Sequence, residues 1–244
     1  MRFVRAVWRV VRLFAHTFVG MWTIKFTFPR CSQAEREQHV QRWAERLLNL
    51  MGITLDVAGE PLAPGPVLLV ANHISWLDIN VMHATRHCRF VSKSAVRHWP
   101  LIGTLASGAG TLYIERESRR DAMRVVHHVA ERLSAGDVIA VFPEGTTGDG
   151  VTMLPFHANL IQAAISADAP VQPLALRFID SATGKTSFAP SFVGDETLVG
   201  SVWRTLLADG IVARVRIGSV QHCDGRGRRS WAADLQAAIE QLRA

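Results

Sequence analysis

From Ile53 onward the chain alternates short apolar runs with stretches of helical periodicity, and this alternation limits the possible folds more than any other feature. Strand-like runs fall at Ile53–Val57, Val67–Ala71, Arg89–Ser92, Thr111–Glu115, Asp137–Phe142, Val171–Phe178 and Ile211–Ile217. Helical patterns fall between them, at Trp76–Arg86, Pro100–Ser107, Ser118–Ala135, Phe156–Ala167, Thr197–Leu207 and Trp231–Leu242. The clearest is Ser118–Ala135, with a capping serine, apolar Val125, Val126, Val129 and Leu133 on one face, and Gly136 as terminator. A further helix precedes the series: Ser32 and Glu35 form a capping box and Gly52 closes it. Strands separated by helices pair in parallel, so the expected fold is α/β, a mostly parallel central sheet flanked by helices. With 244 residues and no internal repeat or linker, the chain reads as one domain (residues 31–244) with an appendage.

The appendage is residues 1–30. It carries Arg2, Arg5, Arg9, Arg12, Lys25 and Arg30 and no acid, which accounts for the whole formal charge of +6. The remaining residues are balanced, so the basic character is not spread over a folded surface as in a nucleic-acid binder, and no nucleic-acid partner is expected. Arg2, Arg5, Arg9, Arg12 and His16 fall within an arc of roughly 80° on a helix. The other faces hold Phe3, Val4, Val7, Trp8, Val10, Val11, Leu13 and Phe14. The uncharged stretch Leu13–Ile24 makes about 18 Å of helix, against about 30 Å of hydrocarbon. We expect an interfacial or half-inserted membrane anchor whose basic side chains reach the headgroups. A tilted span and an amphipathic helix packed on the domain are the alternatives. The three cysteines share no close spacing and suit a reducing compartment.

Chemistry-bearing residues cluster at the ends of the apolar runs, where open α/β sheets place their ligands. After Val67–Ala71 comes Asn72-His73-Ile74-Ser75-Trp76-Leu77-Asp78. Across a turn, a five-residue offset lets the Asp78 carboxylate hold one imidazole nitrogen of His73 and leave the other free to take a proton. A capped helix start with a buried histidine fits the same spacing. The run 138–142 ends in Phe142-Pro143-Glu144-Gly145-Thr146-Thr147, with Glu144 at the rim of an apolar core. A turn with a capping acid is the plainer reading there. Gly110-Thr111-Leu112-Tyr113-Ile114-Glu115-Arg116 ends a strand in a guanidinium that matches a phosphate. Val171-Gln172-Pro173-Leu174 reads as structural.

In this order, His73/Asp78, Gly110–Arg116, Phe142–Thr147 and Val171–Leu174 are the blocks of the glycerolipid acyltransferases, and the chain resembles the bacterial 1-acyl-sn-glycerol-3-phosphate acyltransferase family over about residues 65–180. The resemblance implies transfer of a fatty acyl group from acyl-ACP or acyl-CoA to the free hydroxyl of lysophosphatidic acid, giving phosphatidic acid. It implies His73 as general base, Asp78 as its orienter and Arg116 on the acceptor phosphate. Glu144, Gly145 and Thr146 would position the acceptor, and Lys93 would add a phosphate contact. No cofactor is implied beyond the thioester co-substrate, which is already activated. No covalent acyl-enzyme is needed, and no G-x-S-x-G elbow occurs. The cytoplasmic face of a bacterial inner membrane is the implied location.

Three positions depart from the family pattern: Ala95 where an acid is common, Phe156-His157-Ala158-Asn159 in place of a Phe-Lys-x-Gly element, and Gly148 where a serine often stands. These bear on the acceptor headgroup, so a lyso-ornithine lipid or another lyso-lipid is the rival substrate. A peripheral membrane protein with an inactive site is the rival of a different class. His83 and His87 have metal-like i, i+4 spacing but no further ligands beside them, and read as an exposed helix face.

Overall fold

The computed structural model describes residues 1–115 and 119–244. Helix α1 (Arg2–Trp22) runs through a π-helical turn (Thr23–Thr27) and a 3-10 turn (Phe28–Arg30) towards α2 (Gln33–Met51). Strands β1 (Ile53–Gly59) and β2 (Val67–Ala71) lead to α3 (Asp78–Thr85) and β3 (Arg89–Lys93). A 3-10 turn (Ser94–His98), α4 (Ile102–Gly108), β4 (Leu112–Ile114), α5 (Arg119–Ser134) and β5 (Val138–Val141) follow. The chain finishes with α6 (Ile161–Ser166), β6 (Val171–Asp180), α7 (Leu198–Leu207), β7 (Ile211–Ile217) and α8 (Arg228–Arg243).

The seven strands form one sheet in the order β1-β7-β6-β2-β5-β3-β4. Every neighbouring pair is parallel except β6 with β7, so the expected mostly parallel sheet is present. Every residue of β2 is buried, as a strand covered on both faces must be. Leu69, Ala71, Ala140 and Leu174 pack with α2, α3 and α7 on one face. Leu68, Val70, Val141 and Val171 pack with α5, α6 and α8 on the other.

Local signals account for several boundaries. At α2 the Ser32–Glu35 capping box is formed in both directions, and Gly52 ends the helix at φ +78°, where a side chain would be strained. The helix expected over Phe156–Ala167 is reduced to α6. The N–H groups ahead of it are bound elsewhere: Leu154 to Glu144, Phe156 to the Gln236 side chain, and His157 to the Pro143 carbonyl. Ser118, expected to cap α5, lies outside the described residues.

Helix α1 packs against the domain, but not as its charge suggested. The middle of its basic arc, Arg5, Arg9 and His16, lies towards the protein. Arg9 donates to the carbonyls of Leu206 and Ala208 at the end of α7, at 2.9 and 3.0 Å. Arg5 and Arg2 pair with Asp209. His16 stacks on Trp43, with ring centroids 4.8 Å apart, and Trp43 Nε1 donates to the His16 carbonyl. The opposite face is apolar and open: Phe3, Val4, Trp8, Val11, Phe14, Phe18 and Trp22 are each more than half exposed. Among the described residues, no helix is long and apolar enough to cross a membrane.

Candidate active site

Strand register brings the two central motifs together. β2 and β5 run parallel with Val70 opposite Val141. Three residues further on, His73 stands opposite Glu144, at the carboxyl ends of both strands. The main-chain N–H of His73 donates to Glu144 Oε1 at 2.7 Å. Glu144 Oε2 accepts from the N–H of Leu154 at 2.8 Å. The carboxylate is only 4% exposed and thus ties three segments together below the surface. Burial pushes its pKa up, opposed by those two hydrogen bonds and by the charges of His73 and Arg243.

His73 Nδ1 lies 2.8 Å from Asp78 Oδ2, as the spacing predicts. The same oxygen accepts from the N–H groups of Ile74 at 2.6 Å and Ser75 at 2.9 Å. Asp78 opens α3 and is fully buried, so these donors hold a charge that water does not reach. A carboxylate only accepts, so Nδ1 carries the hydrogen and Nε2 is left with a lone pair. The His73 side chain retains 18% exposure. Its ring lies flat on Phe142, with centroids 4.1 Å apart and planes 5° apart. A buried acceptor, a partly open imidazole and a tautomer fixed by the carboxylate are what a general base requires.

The other expected site residues spread along the same edge of the sheet. Gly145 (φ +73°) turns the chain after Glu144, and a Cβ there would lie 3.3 Å from the His157 ring. Gly145 and Thr146 are exposed, while Thr147 donates its hydroxyl to the Phe192 carbonyl. Lys93 is exposed at the carboxyl end of β3, two strands from β2. Arg116 lies outside the described residues.

Two supporting residues carry no signal of their own in the sequence. The Asn72 amide donates to the Leu176 carbonyl at 3.0 Å and accepts from its N–H at 2.7 Å. It extends the β2–β6 ladder by one step, just before His73. Gln172 Nε2 donates to the carbonyls of Pro61 and Gly218, and its oxygen accepts from Ala63. Its role in the Val171–Leu174 block is therefore structural, as read. The reading of His83 and His87 as an exposed face is corrected. His83 is buried against Phe90, its ring 5.5 Å from that of His87, and burial lowers its pKa to about 3. No metal-binding cluster occurs among the described residues.

Comparison with known proteins places the chain among its relatives. Residues 54–177 match the family model described as Acyltransferase. Over 181 residues the chain is 38% identical to the 1-acyl-sn-glycerol-3-phosphate acyltransferase of Neisseria meningitidis serogroup B, covering 74% of this chain and 70% of that protein. Over 205 residues it is 35% identical to the lyso-ornithine lipid O-acyltransferase of Pseudomonas aeruginosa, covering 84% and 78%. Its fold matches the crystal structure of a 1-acyl-sn-glycerophosphate acyltransferase from Thermotoga maritima, with TM-score 0.72 and 17% identity over 99% and 96% of the two chains. A His–Asp pair at the edge of a mostly parallel sheet, with these relatives, defines the class as an O-acyltransferase. The chain belongs to the acyltransferase family.

Proposed function

We propose that this O-acyltransferase moves a fatty acyl group from acyl-ACP or acyl-CoA to the free hydroxyl of 1-acyl-sn-glycerol 3-phosphate, giving phosphatidic acid for phospholipid synthesis. The His73–Asp78 pair carries the reading. His73 Nε2 takes the proton from the acceptor hydroxyl as its oxygen attacks the thioester carbonyl. The C–S bond breaks, the acyl group stays on the oxygen, and the departing thiolate takes the proton from the imidazolium. Asp78 stabilises that imidazolium without being protonated. Glu144 holds the base's backbone and the turn that offers Gly145 and Thr146 to the acceptor. Arg116 and Lys93 take the acceptor phosphate.

Residues 1–30 act as the membrane anchor at the cytoplasmic face of the bacterial inner membrane. The open apolar face of α1 supports this. It presents aromatic and aliphatic side chains outward and leaves the arginines to dock the helix, so the bilayer contact is hydrophobic rather than electrostatic. A lyso-ornithine lipid is the second acceptor, favoured by the Pseudomonas aeruginosa relative.

The test is purified protein with labelled lysophosphatidic acid or lyso-ornithine lipid, each with acyl-ACP and with acyl-CoA, followed by product analysis. We expect labelled phosphatidic acid, with turnover reduced about a thousandfold or more in His73→Ala and Asp78→Asn. Acylation of lyso-ornithine lipid alone would replace the acceptor. Undiminished thioester turnover in His73→Ala would remove the base.

A further inference from the structure

Three adjacent parallel strands bring a row of rings together on one face of the sheet. His73 follows β2, Phe142 follows β5, and Phe90 lies on β3. Phe142 stands between the other two. Its ring is nearly parallel to His73 at 4.1 Å, and Phe90 stacks on it at 5.6 Å with planes 20° apart. His83 closes the row, edge-on to Phe90 at 5.1 Å. Strand spacing of about 4.8 Å makes such side-by-side rings possible where side chains share a face.

We propose that Phe142 is a positioning residue for the base: it fixes the plane of the His73 imidazole and stabilises its protonated form. This rests on His73 being the base. The hydrogen bond to Asp78 holds one edge of the ring, but rotation about that edge is still open. A flat aromatic face closes it. The face of a benzene ring carries partial negative charge, so it attracts an imidazolium more than a neutral imidazole. The imidazolium exists only once the acceptor hydroxyl has given up its proton. The stack therefore strengthens as the reaction proceeds, which is the condition for acceleration rather than mere binding.

The ionisable groups around His73 are few. Asp78 comes from α3. Glu144 meets the His73 N–H from the turn after β5, with Arg243 of α8 beyond it. His157 lies against Gly145, and the buried His83 lies at the far side of Phe90. Phe142 is the group that covers the ring's face.

The test is NMR titration of the His73 ring, assigned by its disappearance in His73→Gln, together with kcat and KM against pH. Phe142→Leu removes the aromatic face. Pentafluorophenylalanine at position 142 keeps the shape, inverts the charge on the face and covers the case in which Phe142→Leu does not fold. In both we expect the His73 pKa and the acid limb of kcat to move down by about half a pH unit. Plateau kcat should fall about three- to tenfold, with KM for both substrates within about twofold. Phe142→Tyr, which restores an electron-rich face, should restore both. A His73 pKa and kcat equal to wild type in the pentafluoro protein would overturn the proposal, as would a rise in KM alone. Full activity in His73→Gln would instead sink the reading of His73 as base, and the NMR titration would still measure the stack.

Discussion

At the scale of single residues, position relative to the sheet decides what an ionisable group does. His73 and His83 share a residue type and an aromatic row, yet one is partly open and bound to a carboxylate, while the other is buried with its pKa lowered to about 3. That difference has a measurable consequence. Unfolding returns His83 to the ordinary value near 6.5, so below that pH the unfolded chain binds the extra proton and stability falls as pH falls. Between pH 6.5 and 4.5 this single group should cost roughly 2 kcal/mol. Urea unfolding at both pH values should show the loss in wild type and not in His83→Phe, and an equal loss in both would place its cause elsewhere. The sequence displays the His73/Asp78 spacing, and that pairing was legible. It does not display burial, so His83 was read as surface. Asn72 and Phe142 were visible as letters but not as neighbours that hold the His73 region, since their partners are Leu176 and His73, from other strands.

At the scale of elements, α1 shows how far composition reaches. Its amphipathic period and its +6 charge are in the sequence. Which face turns inward is not. The domain offers the carbonyls of Leu206 and Ala208 at the end of α7, together with Asp209, and these attract cations. The arginines bind there and the apolar face is left open. Arg9→Met should therefore cost about 2 kcal/mol of unfolding free energy and leave vesicle binding within about twofold. Val11→Gln with Phe18→Gln on the outer face should do the reverse. Vesicle sedimentation beside denaturant unfolding tests both, and a loss of vesicle binding confined to Arg9→Met would restore the headgroup role for the basic arc. Elements with strong local end signals, such as α2 between Ser32 and Gly52, were legible to the residue. α6 was not, because the N–H groups just ahead of it bind Glu144, Gln236 and Pro143, all outside the segment.

At the scale of the whole molecule, α1 is part of the fold and not a detachable tail. Ala6 is fully buried in the core cluster that holds Leu47 and Leu206, and Val10 and Leu13 pack against it. Removing residues 1–22 should lower the thermal midpoint by about 10 °C, from the loss of roughly 3 kcal/mol of packing and hydrogen bonding. Calorimetry on the shortened chain measures this, and a midpoint within about 2 °C of the full chain would make the helix an independent anchor. What the sequence by itself determined is the set of elements, the parallel character of most of the sheet and the presence of two motifs at strand ends, because periodicity and capping act over a few residues. Only the tertiary structure decided that β2 lies beside β5 in a register that brings His73 against Glu144, 71 residues apart in the chain. It alone decided that Arg5 and Arg9 of α1 turn towards the domain. Those outcomes depend on which distant groups each backbone donor, ring and charge meets, and in a folded sheet those partners are set by strand order and register.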